Sequence, residues 1–242
     1  MNETKYVAIS TQKGGAGKTT LTVLVASYLH YVKGYNVAVV DCDFPQYSVH
    51  DMRKRDLKAI MEDEYYKSMA YEQLKRLEKN PYPIKCSRAE DAIKTAEQLC
   101  ESHPNLDFVF FDLPGTINNV DVVTTIAKMD YIFTPIIADR VVMESSIKFA
   151  TVINEQMIST GKSCIKGLYL VWNMVDGREK SELYKAYDKS RTSSPASAQI
   201  PSKENSCHAY TIMHSKYHGH RRRRIRGSVN SIVSLHNLSI HL

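Results

Sequence analysis

Apolar residues along this chain gather in short blocks separated by longer stretches of mixed character. In residues 6–9, 36–41, 107–112, 129–136 and 167–172 most positions are apolar, and the apolar ones are consecutive rather than alternate. A strand of that kind is covered on both faces, as in a parallel sheet enclosed by helices. Residues 82–86 read as a shorter strand. The stretches between carry helical spacing. Residues 21–29 form one helix, closing at Lys33-Gly34, where glycine has its usual stop role. Residues 51–79 are charge-rich, with Leu57, Ile60, Met61, Met69, Leu74 and Leu77 spaced irregularly as on helices. They read as a solvated face without chemistry of their own. Residues 89–100 place Ala92, Ile93, Ala96 and Leu99 on one side, and residues 141–157 repeat Val142, Ser145, Ser146, Phe149, Val152 and Ile153 at helical spacing. Strands alternating with helices predict an α/β fold, with a mostly parallel, doubly wound sheet and helices on both faces.

The turn after the first strand carries candidate chemistry. Thr11-Gln12-Lys13-Gly14-Gly15-Ala16-Gly17-Lys18-Thr19-Thr20 lies between a buried strand and a helix, which is the setting of a phosphate-binding loop. Glycines let backbone N–H groups curl around phosphate oxygens with no Cβ in the way. The helix start adds unpaired N–H donors and a positive dipole end. Lys18 supplies a point charge for the β- and γ-phosphates, and Thr19 offers a hydroxyl to Mg²⁺. The expected ligands are a nucleoside triphosphate and Mg²⁺, held by Gly14, Gly15, Ala16, Gly17, Lys18, Thr19 and Thr20, and the expected fold is that of a P-loop NTPase.

Later strands end on polar residues. Asp41 and Asp43 follow the block at 36–41 and arrive at a strand's carboxyl end, where ligands bind in parallel sheets. The block at 107–112 closes on Asp112 and continues Leu113-Pro114-Gly115-Thr116. A hydrophobic strand closing on an aspartate is the Walker B arrangement, whose carboxylate meets Mg²⁺ directly or through water. The last block delivers Asn173-Met174-Val175-Asp176, and Trp172, the only tryptophan, reads as core. Arg140 and Glu144 read as a surface ion pair, a place in an interface being the alternative.

The wording Lys-Gly-Gly-x-Gly-Lys-Thr at 13–19, with Gln12 where the usual loop has glycine, resembles the deviant Walker A loop of the ParA/MinD family of ATPases. The resemblance covers residues 5 to about 188, with the motifs in the family's order. It implies that the nucleotide is ATP and adds Lys13 to the residues that hold it, reaching across an ATP-dependent homodimer to the partner's nucleotide. Asp41-Cys42-Asp43-Phe44-Pro45-Gln46 is similar to the family's Asp-x-Asp-Pro-Gln switch with Phe44 inserted, which puts Asp43 at the position that orients the attacking water and joins the outer shell of Mg²⁺. The resemblance further implies that Gly115 offers its N–H to the γ-phosphate and that Asn173 meets the adenine, the alternative for Asn173 being a strand-end cap. The implied activity is slow ATP hydrolysis stimulated by a separate activator protein, in DNA partition or transfer of a mobile element. Residues 41–46 and 172–178 are worded most like the ParA-like TraA proteins of Bacteroides-type conjugative transposons. A scaffold that binds nucleotide without turnover, and a positioning ATPase docked on a membrane surface, stay open as alternatives.

Composition changes this picture at one end. The net charge is +6 over 242 residues. Residues 1–190 hold 24 basic and 25 acidic side chains, while residues 191–242 hold 8 basic and one acidic. The expected organisation is an ATPase domain over 1–189 and an atypical basic tail over 190–242. The tail holds 11 of the serines and six of the nine histidines. Disorder, or an ending read out of frame, is one reading of it. The run Arg221, Arg222, Arg223, Arg224 suits non-specific contact with DNA phosphates. Val229, Ile232, Val233 and Ile240 behind it would suit membrane-surface docking. His214, His218 and His220 lack a cysteine or carboxylate to complete a metal set. Five scattered cysteines without a C-x-x-C, no signal-like N-terminus and no apolar run near the roughly 18 residues of a spanning helix lead to the expectation of a cytoplasmic protein.

Overall fold

Successive apolar residues of a strand face opposite sides of a sheet, and here each side is covered by its own helices. The structure is a computed structural model, which describes residues 3–115, 119–174 and the backbone of Met213–His214. Six main strands, β1 (Lys5–Ile9), β2 (Val37–Asp41), β3 (Ile84–Cys86), β4 (Phe108–Asp112), β5 (Tyr131–Ile136) and β6 (Gly167–Trp172), form one parallel sheet. A two-residue strand, β7 (Met213–His214), pairs with β6 at the edge and gives the order β3-β2-β4-β1-β5-β6-β7. It falls in the stretch 190–242, where the apolar pattern draws no strand.

The helices are α1 (Lys18–Ser27), α2 (Ser48–Glu62), α3 (Glu64–Leu77), α4 (Ala92–Ser102), α5 (Val120–Ala127) and α6 (Arg140–Ile153). Val7, Val37, Val39 and Phe110 pack on one side with Ala26, Leu29 and Val49, from α1, the turn after it, and α2. Ala8, Ala38, Val40, Val109 and Phe111 pack on the other side with residues of α4, α5 and α6, among them Leu99, Ile126 and Phe149. The two-sided burial read from the apolar blocks is therefore real, and Trp172 is core at 1% exposure.

Details differ from the pattern for local reasons. The helical stretch 51–79 is two helices, broken at Asp63, which is extended and caps α3 by accepting from the N–H groups of Tyr65 and Tyr66. Helix α5 was not drawn from the sequence; Asn119 starts it by accepting from Asp121 N–H. Helices α1 and α6 each run on into a wider π turn, at Tyr28–Val32 and Asn154–Ile158. Among the described residues no helix is long and apolar enough to cross a membrane.

Candidate nucleotide-binding site

Strands β1, β2, β4 and β6 all deliver polar residues at the carboxyl edge of the sheet. Register decides which of them meet. Ile9 and Asp41 both pair with Asp112, so the loop after β1 and the turns after β2 and β4 leave the sheet along one line.

The loop needs its glycines. Gly15 and Gly17 sit at φ 81° and 83°, in the left-handed region that other residues enter only with strain. Gly17 is the N-cap of α1, no side chain caps it, and no acidic residue lies in the first turn. The helix start therefore presents unpaired N–H groups at the positive end of its dipole, the arrangement that receives a phosphate. Lys13, Gly14, Gly15 and Thr20 are exposed, Ala16 is buried, and Gly17, Lys18 and Thr19 are half-buried. The Lys18 ammonium lies over Gly115, where an added Cβ would be 3.1 Å from Nζ. Two glycine-bearing turns, far apart in sequence, thus share one cation.

Thr19 Oγ1 donates to Asp112 Oδ2 at 2.7 Å. The other carboxyl oxygen, Oδ1, is buried and has no hydrogen-bond partner among the described residues. Burial pushes the Asp112 carboxyl up to about 7; Asp41 and Asp43 push the same way, and Thr19 and Lys18 oppose them. An oxygen so placed, beside a threonine hydroxyl, fits Mg²⁺, a hard cation that takes oxygen ligands and keeps several waters. Among the described residues no three His, Cys, Asp or Glu side chains form a metal cage. A cation here would rest on Asp112, Thr19 and the oxygens of its ligand.

Asp41 and Asp43 have different places. Asp41 is fully buried, and its oxygens accept from His50 N–H at 2.9 Å and Asp43 N–H at 3.3 Å. It holds the start of α2 and the turn that carries Asp43, and burial raises its pKa. Asp43 is half-buried and near enough to Asp112 to influence its ionisation. Phe44 is half-exposed, with the Arg88 guanidinium 4.7 Å from its ring centre.

Two contacts at the loop have no signal in the sequence. Thr11 and Ser146, on β1's exit and α6, share a buried hydrogen bond of 2.9 Å. Asn173 donates from Nδ2 to the carbonyl of Ala16 at 2.8 Å, so its amide faces the loop's own backbone. Arg140 and Glu144 form the exposed ion pair expected of them, at 2.9 Å. Thr116, Asp176, Arg221 to Arg224 and the side chains of His214, His218 and His220 lie outside the described residues.

Comparison with known proteins bears on this geometry. The model of the CobQ/CobB/MinD/ParA nucleotide binding domain matches residues 7–211. An uncharacterized protein of Borreliella burgdorferi is 39% identical over 89 residues, a match covering 34% of this chain and 34% of that protein. The chain therefore spans about a third of that relative's length. A plasmid partition protein from Borrelia burgdorferi superposes with a TM-score of 0.51 at 16% identity, over 80% of this chain and 87% of its own. A Borrelia burgdorferi B31 protein solved with bound AMPPNP gives 0.54 at 18% identity, over 79% and 82%. At these identities the two structures speak for the fold.

Proposed function

This chain belongs to the CobQ/CobB/MinD/ParA nucleotide-binding domain family, and from that premise we propose that it is a Mg²⁺-dependent ATPase switch that dimerises on binding ATP. The observation that carries the reading is the Thr19–Asp112 hydrogen bond with the bare Oδ1 beside it, next to the Lys18 ammonium over Gly115. Residues 13–20 take the phosphates, Thr19 and Asp112 hold the cation, and Lys18 balances charge on the transferred phosphoryl group. When bound, Mg²⁺ supplies charge neutralisation at the phosphate oxygens. Asp43 orients the attacking water and joins the outer shell of the cation, and Gly115 N–H meets the γ-phosphate. Lys13, exposed at the rim of the loop, bridges to the nucleotide of a second copy. Asn173, beside the loop, is also the adenine contact.

Turnover in this reading is slow and stimulated by a separate protein. The work is DNA partition or conjugative transfer of a mobile element, in the cytoplasm, with the segment 221–224 touching DNA without sequence preference. Support for partition comes from the shared fold with a plasmid partition protein, and support for transfer from the wording of residues 41–46 and 172–178. One observation favours a second reading, a nucleotide-binding scaffold without turnover: Phe44 lengthens the switch turn and is held by Arg88.

Light scattering with ATP and Mg²⁺, on this protein and on Lys13→Ala, tests both. An ATP-dependent dimer weakened by the substitution is the expected result. ATP bound to a monomer in both samples favours the scaffold, and absence of ATP binding overturns both readings.

A further inference from the structure

We propose that Asn173 is a positioning residue for the phosphate-binding loop: its side-chain amide fixes the backbone at Ala16-Gly17, whichever base the ligand carries. The inference rests on the nucleotide-binding reading above and adds to Asn173 a role separate from adenine contact.

The loop cannot set its own shape. Gly15 and Gly17 both stand at positive φ, and glycine populates positive and negative φ about equally when unconstrained. Something outside the loop must select the conformation that turns its N–H groups toward a ligand. Asn173 is anchored to do this, because its backbone N–H donates to Ile136 O at 2.7 Å, continuing the β5–β6 ladder beyond Trp172. From that fixed point Nδ2 reaches Ala16 O. A carbonyl only accepts, so the atom facing it is the amide nitrogen, a donor.

The contact is also one that solvent cannot readily replace. Ala16 is 1% exposed, and a buried carbonyl that loses its donor bears the cost of an unmade hydrogen bond. Gly17 completes the arrangement. A Cβ there would run into Asn173 Nδ2 and would lie 3.4 Å from Met174 Cε, so the end of β6 packs directly on the loop backbone. Met174 itself stands at φ 55°, in the left-handed region. The sheet thus reaches across 157 residues of sequence to hold the peptide that precedes Lys18.

An adenine contact and a loop-positioning contact make different demands on the ligand. The experiment measures binding of ATP and of inorganic tripolyphosphate, each with Mg²⁺, to the full chain and to Asn173→Ala and Asn173→Asp. Amide hydrogen exchange of residues 14–19 is followed in the same three proteins without ligand. Positioning predicts that Asn173→Ala weakens tripolyphosphate about tenfold and ATP by at least that factor, any excess for ATP being the adenine contact. Asn173→Asp should weaken them further, since its carboxylate faces the Ala16 carbonyl without a proton to donate. Exchange should quicken at 14–19 while β1 and β6 keep their protection, which separates the effect from general destabilisation. Weaker ATP binding with tripolyphosphate binding and exchange unchanged would make Asn173 a base contact only and overturn the inference. Unchanged affinities with unchanged exchange would overturn it equally. If the unsubstituted protein binds neither ligand, the nucleotide reading fails, and the exchange result still decides whether Asn173 holds the loop.

Discussion

Thr19 and Asp112 stand 93 residues apart in sequence and share a 2.7 Å hydrogen bond between the first turn of α1 and the last residue of β4. The bond occupies one carboxyl oxygen and leaves the other buried without a partner among the described residues. A folded chain normally pairs its buried polar atoms, and the open oxygen is the place the proposed reading gives to the cation.

Asp112 makes ligand-free stability fall with pH. Burial pushes its carboxyl from an ordinary value of 3.8 up to about 7 in the folded chain. Between those values the unfolded chain has lost the proton that the folded chain keeps, so stability declines as pH rises across this window and levels off above it. Asp41, raised by burial as well, adds the same sign. Asp112→Asn should therefore flatten part of the slope and raise the ligand-free melting temperature at pH 8. The same substitution should weaken Mg²⁺-dependent nucleotide binding by about 10- to 100-fold. In the proposed reading Mg²⁺ binds the ionised carboxylate, so calorimetry near pH 6.5 should record proton release on Mg²⁺ binding, and Asp112→Asn should lose that release. A slope unchanged by the substitution would place the titration elsewhere.

The glycines of the loop should separate by what surrounds them. Gly14 has ordinary φ and open space, Gly15 has positive φ and open space, and Gly17 has positive φ with Asn173 in the way. Alanine at Gly14 should be tolerated. At Gly15 it should cost about 1–2 kcal/mol of left-handed strain. At Gly17 the same strain is joined by a clash, so Gly17→Ala should melt lowest of the three and bind nucleotide least. Melting curves with and without ATP check the order.

What could be read from the sequence follows from how local each cause is. Strands β1, β2, β4, β5 and β6 were legible because two-sided burial writes consecutive apolar residues into one short block. The loop at 13–19 and Asp112 were legible because strand, turn and chemistry are contiguous. The break at Asp63 was hidden by the charge on both sides of it, although an aspartate capping Tyr65 and Tyr66 is a local signal. Helix α5 is only eight residues long, Val120–Ala127, too short for its apolar spacing to stand out beside the strands on either side. Thr11 with Ser146, and Asn173 with Ala16, lie 135 and 157 residues apart. No spacing rule joins residues at that range, because the β5 and β6 pairings that bring them together belong to the folded sheet.

The Thr11–Ser146 pair should behave as a coupled unit. Both hydroxyls are buried, and Ser146 Oγ also lies 3.3 Å from Pro135 O. Ser146→Ala strips Thr11 Oγ1 of its partner and should cost about 1–3 kcal/mol. Thr11→Val alone should cost less, since Ser146 keeps the Pro135 carbonyl. The double substitution should cost less than the sum of the singles, because no unpaired hydroxyl remains. Urea unfolding of the four proteins measures the cycle, and simple additivity would show the bond to be without consequence.

Phe44 and Arg88 test whether the turn after β2 serves the hydrolysis proposed above. The guanidinium packs on the ring at 4.7 Å and ties the turn after β2 to the segment after β3. Asp43 lies next to Phe44 in that turn, with its N–H bonded to the buried Asp41 carboxylate. A cation–π contact at a half-exposed site is worth about 0.5–1 kcal/mol. If it steadies Asp43, Arg88→Ala should lower single-turnover ATP hydrolysis by about two- to fivefold while leaving ATP affinity unchanged. Phe44→Ala should do the same, and the pair of substitutions should be no worse than either alone, because each removes the same contact. Arg88→Lys, which keeps a cation near the ring, should recover part of the rate. An equal fall in affinity would instead show that the contact supports the nucleotide pocket as a whole. A rate indifferent to all four variants would show that Phe44 has taken the turn out of hydrolysis, as the scaffold reading requires.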